Sequence, residues 1–125
     1  ENPVYYLQYA HARICSILNF AHDNGIDPNS TARLELLKMP EEKNVISALL
    51  KFPETISKAA LSLDIHIVPN YLHELASLFH RFYHYHKVVS DEVELSKARL
   101  ALVKATQIVL VNGFRILGIS APERM

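Results

Sequence analysis

A single cysteine, Cys15, stands in the 125 residues, so no internal disulfide framework can staple the chain, and such usage suits a reducing, cytosolic setting. Glycine is nearly as scarce, at three, while half the residues are apolar. That balance disfavours disorder and favours compact helices, and 125 residues suffice for one domain with a real core. Also missing are a signal peptide and a long charge-free apolar run, so no membrane partner is expected. No glycine-rich phosphate loop, nucleophile elbow or cleft-flanking pair of carboxylates can be read. No serine or cysteine stands out as a nucleophile for the seven histidines, so this chain alone should catalyse nothing. The first residue is Glu1 and not Met, which suggests a piece of a longer protein.

Excess charge is lacking too: thirteen Lys/Arg balance thirteen Asp/Glu, a total that argues against a nucleic-acid binder. The distribution says otherwise. Residues 1–74 carry six basic and nine acidic side chains, whereas residues 75–125 carry seven and four. No carboxylate side chain lies between Leu75 and Ser90, or between Leu95 and Pro122. A phosphate feels the local field, so a neutral total can hide a basic face.

What is present reads as helices. Asn2-Pro3 is a cap followed by proline at the first helical position. Val4, Leu7, His11, Ile14, Leu18 and Ala21 then recur at three- and four-residue steps, giving a helix to about Asn24 with Gly25 as its stop. Ser30 or Thr31 should cap a short helix through Lys38. Pro40 with Glu41 and Glu42 opens another, buried through Val45, Ile46, Leu49 and Leu50, which Pro53 kinks or restarts before Ile56, Ala59, Ala60 and Leu63. Pro69 starts a fourth, with Leu72, Leu75, Leu78, Phe79 and Phe82 inward. Asp91 and Glu94 resemble a capping box for a last helix to Leu117, apolar around most of its circumference and so expected at the centre. No segment alternates with period two, so an all-α bundle of about five helices is expected.

At 100° per residue, Tyr6, Tyr9 and Arg13 fall within an arc of about 60° beside the first helix's core stripe, with Tyr5 further round. Tyrosines on such a shoulder can be plain packing residues. Arg13 and Gln8 nearby add a cation and an amide donor, and rings with those donors are what an unstacked RNA base needs. His73, His80 and His84 share a stripe on the fourth helix. They lack the glutamate and third ligand of a zinc site, so no metal is expected and the stripe should face solvent. Those histidines, Arg81 and Lys87 could meet phosphates. So could Lys97, Lys104 and Arg115, which share a stripe on the last helix with Gln107 near its edge.

The string "NPVYYLQYAHARICSIL" resembles the start of the C-terminal anticodon-binding domain of bacterial-type arginyl-tRNA synthetases, where Q-Y-A-H-A-R is characteristic. "YLHELASLFHRFY" is similar to that domain's fourth long helix and "ARLALVKATQIVLVNGFRILGISAPERM" to its last helix and tail, while residues 22–64 match least. The resemblance implies the helical bundle of class I synthetases and a role in gripping the anticodon arm of tRNA. It implies base contacts at Tyr6, Tyr9, Tyr83 and Met125, with Arg13 in the same pocket and Gln8 and His11 within the string. His11, at the core edge, is expected to be a hydrogen-bonded packing residue. Many relatives carry asparagine where His84 follows Tyr83. In the parent enzyme ATP activates arginine, which passes to the 3′ end of the tRNA. The resemblance implies that the ATP and magnesium sites lie in a catalytic domain expected to be absent here, and that "KMPEEK" at Lys38–Lys43 mimics that domain's K-M-S-K type string only by chance. The expected partners are the tRNA and the catalytic domain of the same chain, in a cytoplasmic monomer. The alternative is a helical protein-interaction module that binds no RNA.

Overall fold

A computed structural model describes residues 2–125, with Glu1 outside them. The described residues form α1 (Pro3–Asp23), a 3-10 turn (Leu34–Leu36), α2 (Pro40–Leu50), α3 (Phe52–Leu61), α4 (Ile67–Tyr85) and α5 (Val93–Leu117), with no strand.

Asn2 Oδ1 accepts from the Val4 amide at 2.9 Å and Pro3 occupies the first turn, so α1 starts where its cap and proline dictate. Helix α2 begins at Pro40, where Glu42 Oε1 accepts from the Met39 amide at 3.0 Å. Pro53 sits in the first turn of α3, so the expected kink is a true restart after Lys51. Gly118 takes φ 71°, a left-handed conformation that glycine adopts without a Cβ penalty, and the Ile119 amide bonds back to Phe114 O at 2.9 Å.

Four expectations about boundaries and burial change. The helix through Lys38 shrinks to the 3-10 turn, because Ser30 is spent on Asp27 O at 2.7 Å and caps nothing further on. Helix α4 starts two residues before Pro69, which is tolerated within a first turn. Asp91 and Glu94 form no box. Ser96 Oγ instead accepts from the Ser90 amide at 2.9 Å ahead of α5. Leu50, Ala60 and Leu63 are exposed, and Leu63 lies beyond the end of α3.

The core joins Ile14 of α1, Val45 of α2, Leu72, Leu75, Phe79 and Phe82 of α4, and Leu100, Val103, Leu110 and Phe114 of α5. Full burial of each such side chain contributes about 1.5–3 kcal/mol. Helix α4, not α5, is the hub, since it packs on each of the other four α-helices whereas α5 packs on α1, α2 and α4. By length and mean hydropathy (1.5) α5 could reach across a bilayer. In this fold one face of it, through Leu100, Val103, Leu110 and Phe114, is packed in the core, and Arg99 within it is buried.

Side-chain pairs give the directions. Tyr6 meets His73 and Tyr9 meets His80, so α1 and α4 run parallel. His11 lies by Phe114 and Cys15 by Gln107, so α5 runs antiparallel to α1. Gly113 is the close approach between α4 and α5, where a Cβ would come within 2.6 Å of Leu72 Cδ2.

Candidate nucleic-acid interface

The far half of α1, the end of α4 with the residues after it, and the last two residues enclose a groove of about 1120 Å³. Tyr9, Arg13, Ser16 and Phe20 line it from α1, Tyr83 to Val89 from the other side, and Arg124 with Met125 across the end. Among the described residues, the lining holds Arg13, Lys87 and Arg124 and no aspartate or glutamate. A chain of zero net charge thus presents one basic, aromatic concavity.

Arg13 organises it. Its guanidinium carbon lies 5.0 Å from the Tyr9 ring centroid and 4.6 Å from that of Tyr83, a cation between two rings. Nη2 donates to Tyr9 OH at 2.9 Å and Nη1 to His80 Nδ1 at 3.1 Å. Each tyrosine has one side supported from within. Tyr83 stacks on buried Phe79 with ring centroids 6.5 Å apart, and Tyr9 tilts over His80 at 5.7 Å. Tyr9 nonetheless keeps 45% of its surface free and Tyr83 39%.

Arginine cannot accept a hydrogen bond, so His80 Nδ1 must be the bare nitrogen and Nε2 carries the hydrogen. That Nε2 is buried and has no partner among the described residues. Burial first, and the Arg13 charge second, push the His80 pKa down to about 4, so the ring is neutral at physiological pH. A proton on Nδ1 would break the bond that steadies Arg13.

The wall after α4 is held from behind. His86 Nε2 donates to Glu41 Oε1 at 2.8 Å, and that bond keeps the Glu41 carboxyl below its usual range. Arg99 Nη1 donates to Lys87 O at 3.0 Å, while its Nε donates to the fully buried Glu42 at 2.6 Å. Glu42 therefore ties the start of α2 to α5, and through Arg99 to the backbone that presents Lys87.

The candidate residues divide. Tyr9, Arg13, Tyr83, His84, Lys87 and Met125 line the groove together. Arg81 stands beside it, its guanidinium 5.2 Å from the ring of Tyr85. Tyr6 does not line it, because His73 stacks on its ring at 4.7 Å and His80 meets it edge-on at 5.4 Å. Lys97, Lys104 and Arg115 also lie outside the lining. Lys97 pairs with Glu94 at 3.4 Å, and Lys104 donates to Gln107 Oε1 at 3.2 Å. The expected solvent stripe splits as well, since His80 is half-buried against α1, while His84 is exposed and His73 is exposed but stacked on Tyr6. His11 is the expected packing residue, 4% exposed with Nδ1 donating to Pro122 O at 2.9 Å.

Phe20, Tyr85, His86 and Arg124 line the groove without having been read from the sequence. Phe20 left a signal. It follows Tyr9 by eleven residues, about 20° round the helix, and is 55% exposed. Among the described residues no group of three or more His, Cys, Asp or Glu is placed to hold a metal ion. "KMPEEK" is the start of α2, with Glu42 committed to Arg99.

Comparison with known proteins follows the same lines. Residues 7–125 match the model of the DALR anticodon binding domain family. The chain is 51% identical over 127 residues to an arginine–tRNA ligase of Moorella thermoacetica, covering 100% of this chain and 23% of that protein. For the arginine–tRNA ligase of Symbiobacterium thermophilum the identity is 50%, with the same coverages of 100% and 23%. Among solved structures, an arginyl-tRNA synthetase of Thermus thermophilus superposes with a TM-score of 0.81 and 34% identity, over 96% of this chain and 21% of that one. One from Plasmodium falciparum gives 0.76 and 27%, over 97% and 21%. The chain thus spans less than a quarter of the length of these relatives.

Proposed function

The chain belongs to the DALR anticodon binding domain family, and from that premise we propose that its groove grips the anticodon arm of a tRNA on behalf of an arginine–tRNA ligase. The ATP-dependent joining of arginine to the tRNA falls to parts of such a protein outside this chain, with the magnesium that ATP brings. The proposal includes the remaining chain as a partner, and a monomer working in the cytoplasm, in keeping with one unpaired, buried cysteine.

The clamp of Arg13 between Tyr9 and Tyr83 carries the reading. Single-stranded bases bind where rings offer a face and a cation offers donors. Tyr9 and Tyr83 offer partly free, partly supported rings, and Arg13 is already oriented before any ligand arrives. A base settling on this platform gains about 1–3 kcal/mol from stacking. Its polar edge meets the guanidinium and Tyr9 OH, and its phosphates lie near Lys87 and Arg124. Met125 supplies an apolar wall across the end. Tyr6 serves from behind, filling the α1–α4 seam with His73 and His80.

An anticodon stem-loop titration tests this. Affinity should fall steeply from low to moderate salt through counterion release. Tyr9→Ala should weaken binding by about 1–3 kcal/mol while melting stays cooperative. A stem-loop that binds Tyr9→Ala as tightly as the unaltered chain would remove the platform from the account. No binding at any salt would favour a protein partner for the groove.

A further inference from the structure

The stretch Gln8–Arg13 divides its labour around α1. Tyr9 and Arg13 turn to the groove, and Gln8 and His11 turn to the residues that follow α5. Gln8 Nε2 donates to both Ser120 O and Ser120 Oγ at 3.1 Å. His11 Nδ1 donates to Pro122 O at 2.9 Å, and because a carbonyl only accepts, Nδ1 must carry the hydrogen. The His11 ring is fixed in turn by burial and by Phe114, 6.2 Å away. With Gly118 setting the exit from α5, the chain after that helix is guided at three successive points.

Three residues beyond Pro122, Met125 reaches the groove, yet it is 63% exposed. An extended chain covers at most about 3.3–3.6 Å per residue, so pinning Pro122 confines Met125 to within about 11 Å of a fixed point. Released at Ser120 and Pro122, the same side chain would rely on the packing of Ile119 and Ala121 against the core and would sweep a larger volume.

We infer that Gln8 and His11 are positioning residues, which hold the segment after α5 against α1 so that Met125 stands as the end wall of the groove. The inference rests on the RNA reading for what that wall touches, and on the hydrogen bonds of Gln8 and His11, beside the packing of Ile119 and Ala121, for what holds it. The two α1 faces then act on one ligand: Tyr9 and Arg13 directly, Gln8 and His11 through Met125. An end wall restricts how far a base can slide across Tyr9 and Tyr83, so the latch acts on selectivity and affinity without touching RNA.

The test uses the 125-residue chain labelled with 13C at the methionine methyls, where Met39, just before α2 and outside the groove lining, is the internal control. Gln8→Ala removes a partly exposed amide and leaves the core intact. His11→Asn, which offers an amide hydrogen near the position of Nδ1–H, is the conservative partner of His11→Ala. In Gln8→Ala and His11→Ala the Met125 methyl should move toward its position in an unfolded peptide and sharpen, with Met39 unchanged and partial recovery in His11→Asn. Stem-loop affinity should drop about 3–10-fold in Gln8→Ala, an order-of-magnitude expectation for losing one oriented contact. Against a Met125→Ala background, Gln8→Ala should cost nothing more. An unmoved Met125 methyl in Gln8→Ala overturns the latch whatever the RNA does, even if His11→Ala fails to fold. A moved methyl with additive losses of affinity overturns the route through Met125. If the unaltered chain binds no stem-loop, the recognition half falls with the RNA reading, and the methyl shift still decides the latch.

Discussion

Arg13→Lys keeps the charge of the groove and destroys its geometry. Arginine here meets two rings at once, donates to Tyr9 OH through one nitrogen and to His80 Nδ1 through another. A lysine ammonium can face one ring or reach one acceptor, but it has no planar fork to do both. Two cation–π contacts at partly exposed sites are worth about 0.5–1 kcal/mol each, and a hydrogen bond from a charged donor about 1.5–3 kcal/mol. Lysine recovers the monopole and one contact, and water takes up the freed Tyr9 hydroxyl. About 1–2 kcal/mol of platform orientation should be lost, or roughly a 5–30-fold weaker stem-loop dissociation constant. The salt slope should not change, because the number of positive charges is the same. Lys87→Ala should do the reverse in kind, lowering the slope by about one unit with a modest loss of affinity. Titrations at four or five salt concentrations separate the two. Unaltered affinity in Arg13→Lys would refute the argument that the fork organises the site, and an altered slope would mean that Arg13 acts merely as a charge.

The remaining expectations concern what holds the groove. His80 has a folded pKa of about 4 against an ordinary value of 6.5. The unfolded chain therefore binds a proton that the folded chain refuses, and stability should fall as pH drops from about 6.5 to 4, then level off for this group. Discounted for its partial exposure, the loss is on the order of 1–2 kcal/mol. His80→Asn, which keeps an acceptor near Nδ1, should flatten that part of a denaturant-midpoint profile, and an unchanged profile would assign the slope elsewhere. Glu42→Ala leaves Arg99 without its carboxylate and Met39 without its acceptor, so it should cost about 3–5 kcal/mol in urea unfolding. A cost near 1 kcal/mol would mean that water replaces the pair. Gly113→Ala gains about 1 kcal/mol of helix propensity. It nonetheless drives a methyl into Leu72, and a net melting loss of about 1–2 kcal/mol is expected. Stabilisation would show that α4 and α5 can part.

Local signals carried most of the fold. Asn2-Pro3, Pro53 and Gly118 marked real boundaries because caps and ring constraints act within a few residues. The stripe Leu7, Ile14, Ala21 was visible because one helix face meets one core. The short helix expected before Pro40 shrinks to a 3-10 turn because Ser30 bonds locally to Asp27, a competition that composition does not expose. The site was legible along α1, where Tyr9 and Arg13 share a flank. Tyr83 and Met125 entered through resemblance, since their meeting with α1 depends on the parallel pairing of α4 and the path taken after α5. Lys87 is legible as a cation, but the wall from His86 to Val89 that carries it is not, because Glu42 and Arg99, 57 residues apart, hold it by a contact no local pattern records. Tyr6 shows the same limit from the other side. Its angle placed it beside Tyr9, but His73 of another helix covers its ring.

Ring resonances of the six tyrosines, followed while an anticodon stem-loop is added at moderate salt, put the matter to its most direct trial. Tyr9 and Tyr83 should shift upfield as a base stacks on them and saturate together with the bound fraction. Tyr71, half-buried with its hydroxyl on Ala48 O, should stay still. Saturable binding that moves lysine signals but leaves the rings of Tyr9 and Tyr83 in place would contradict the account.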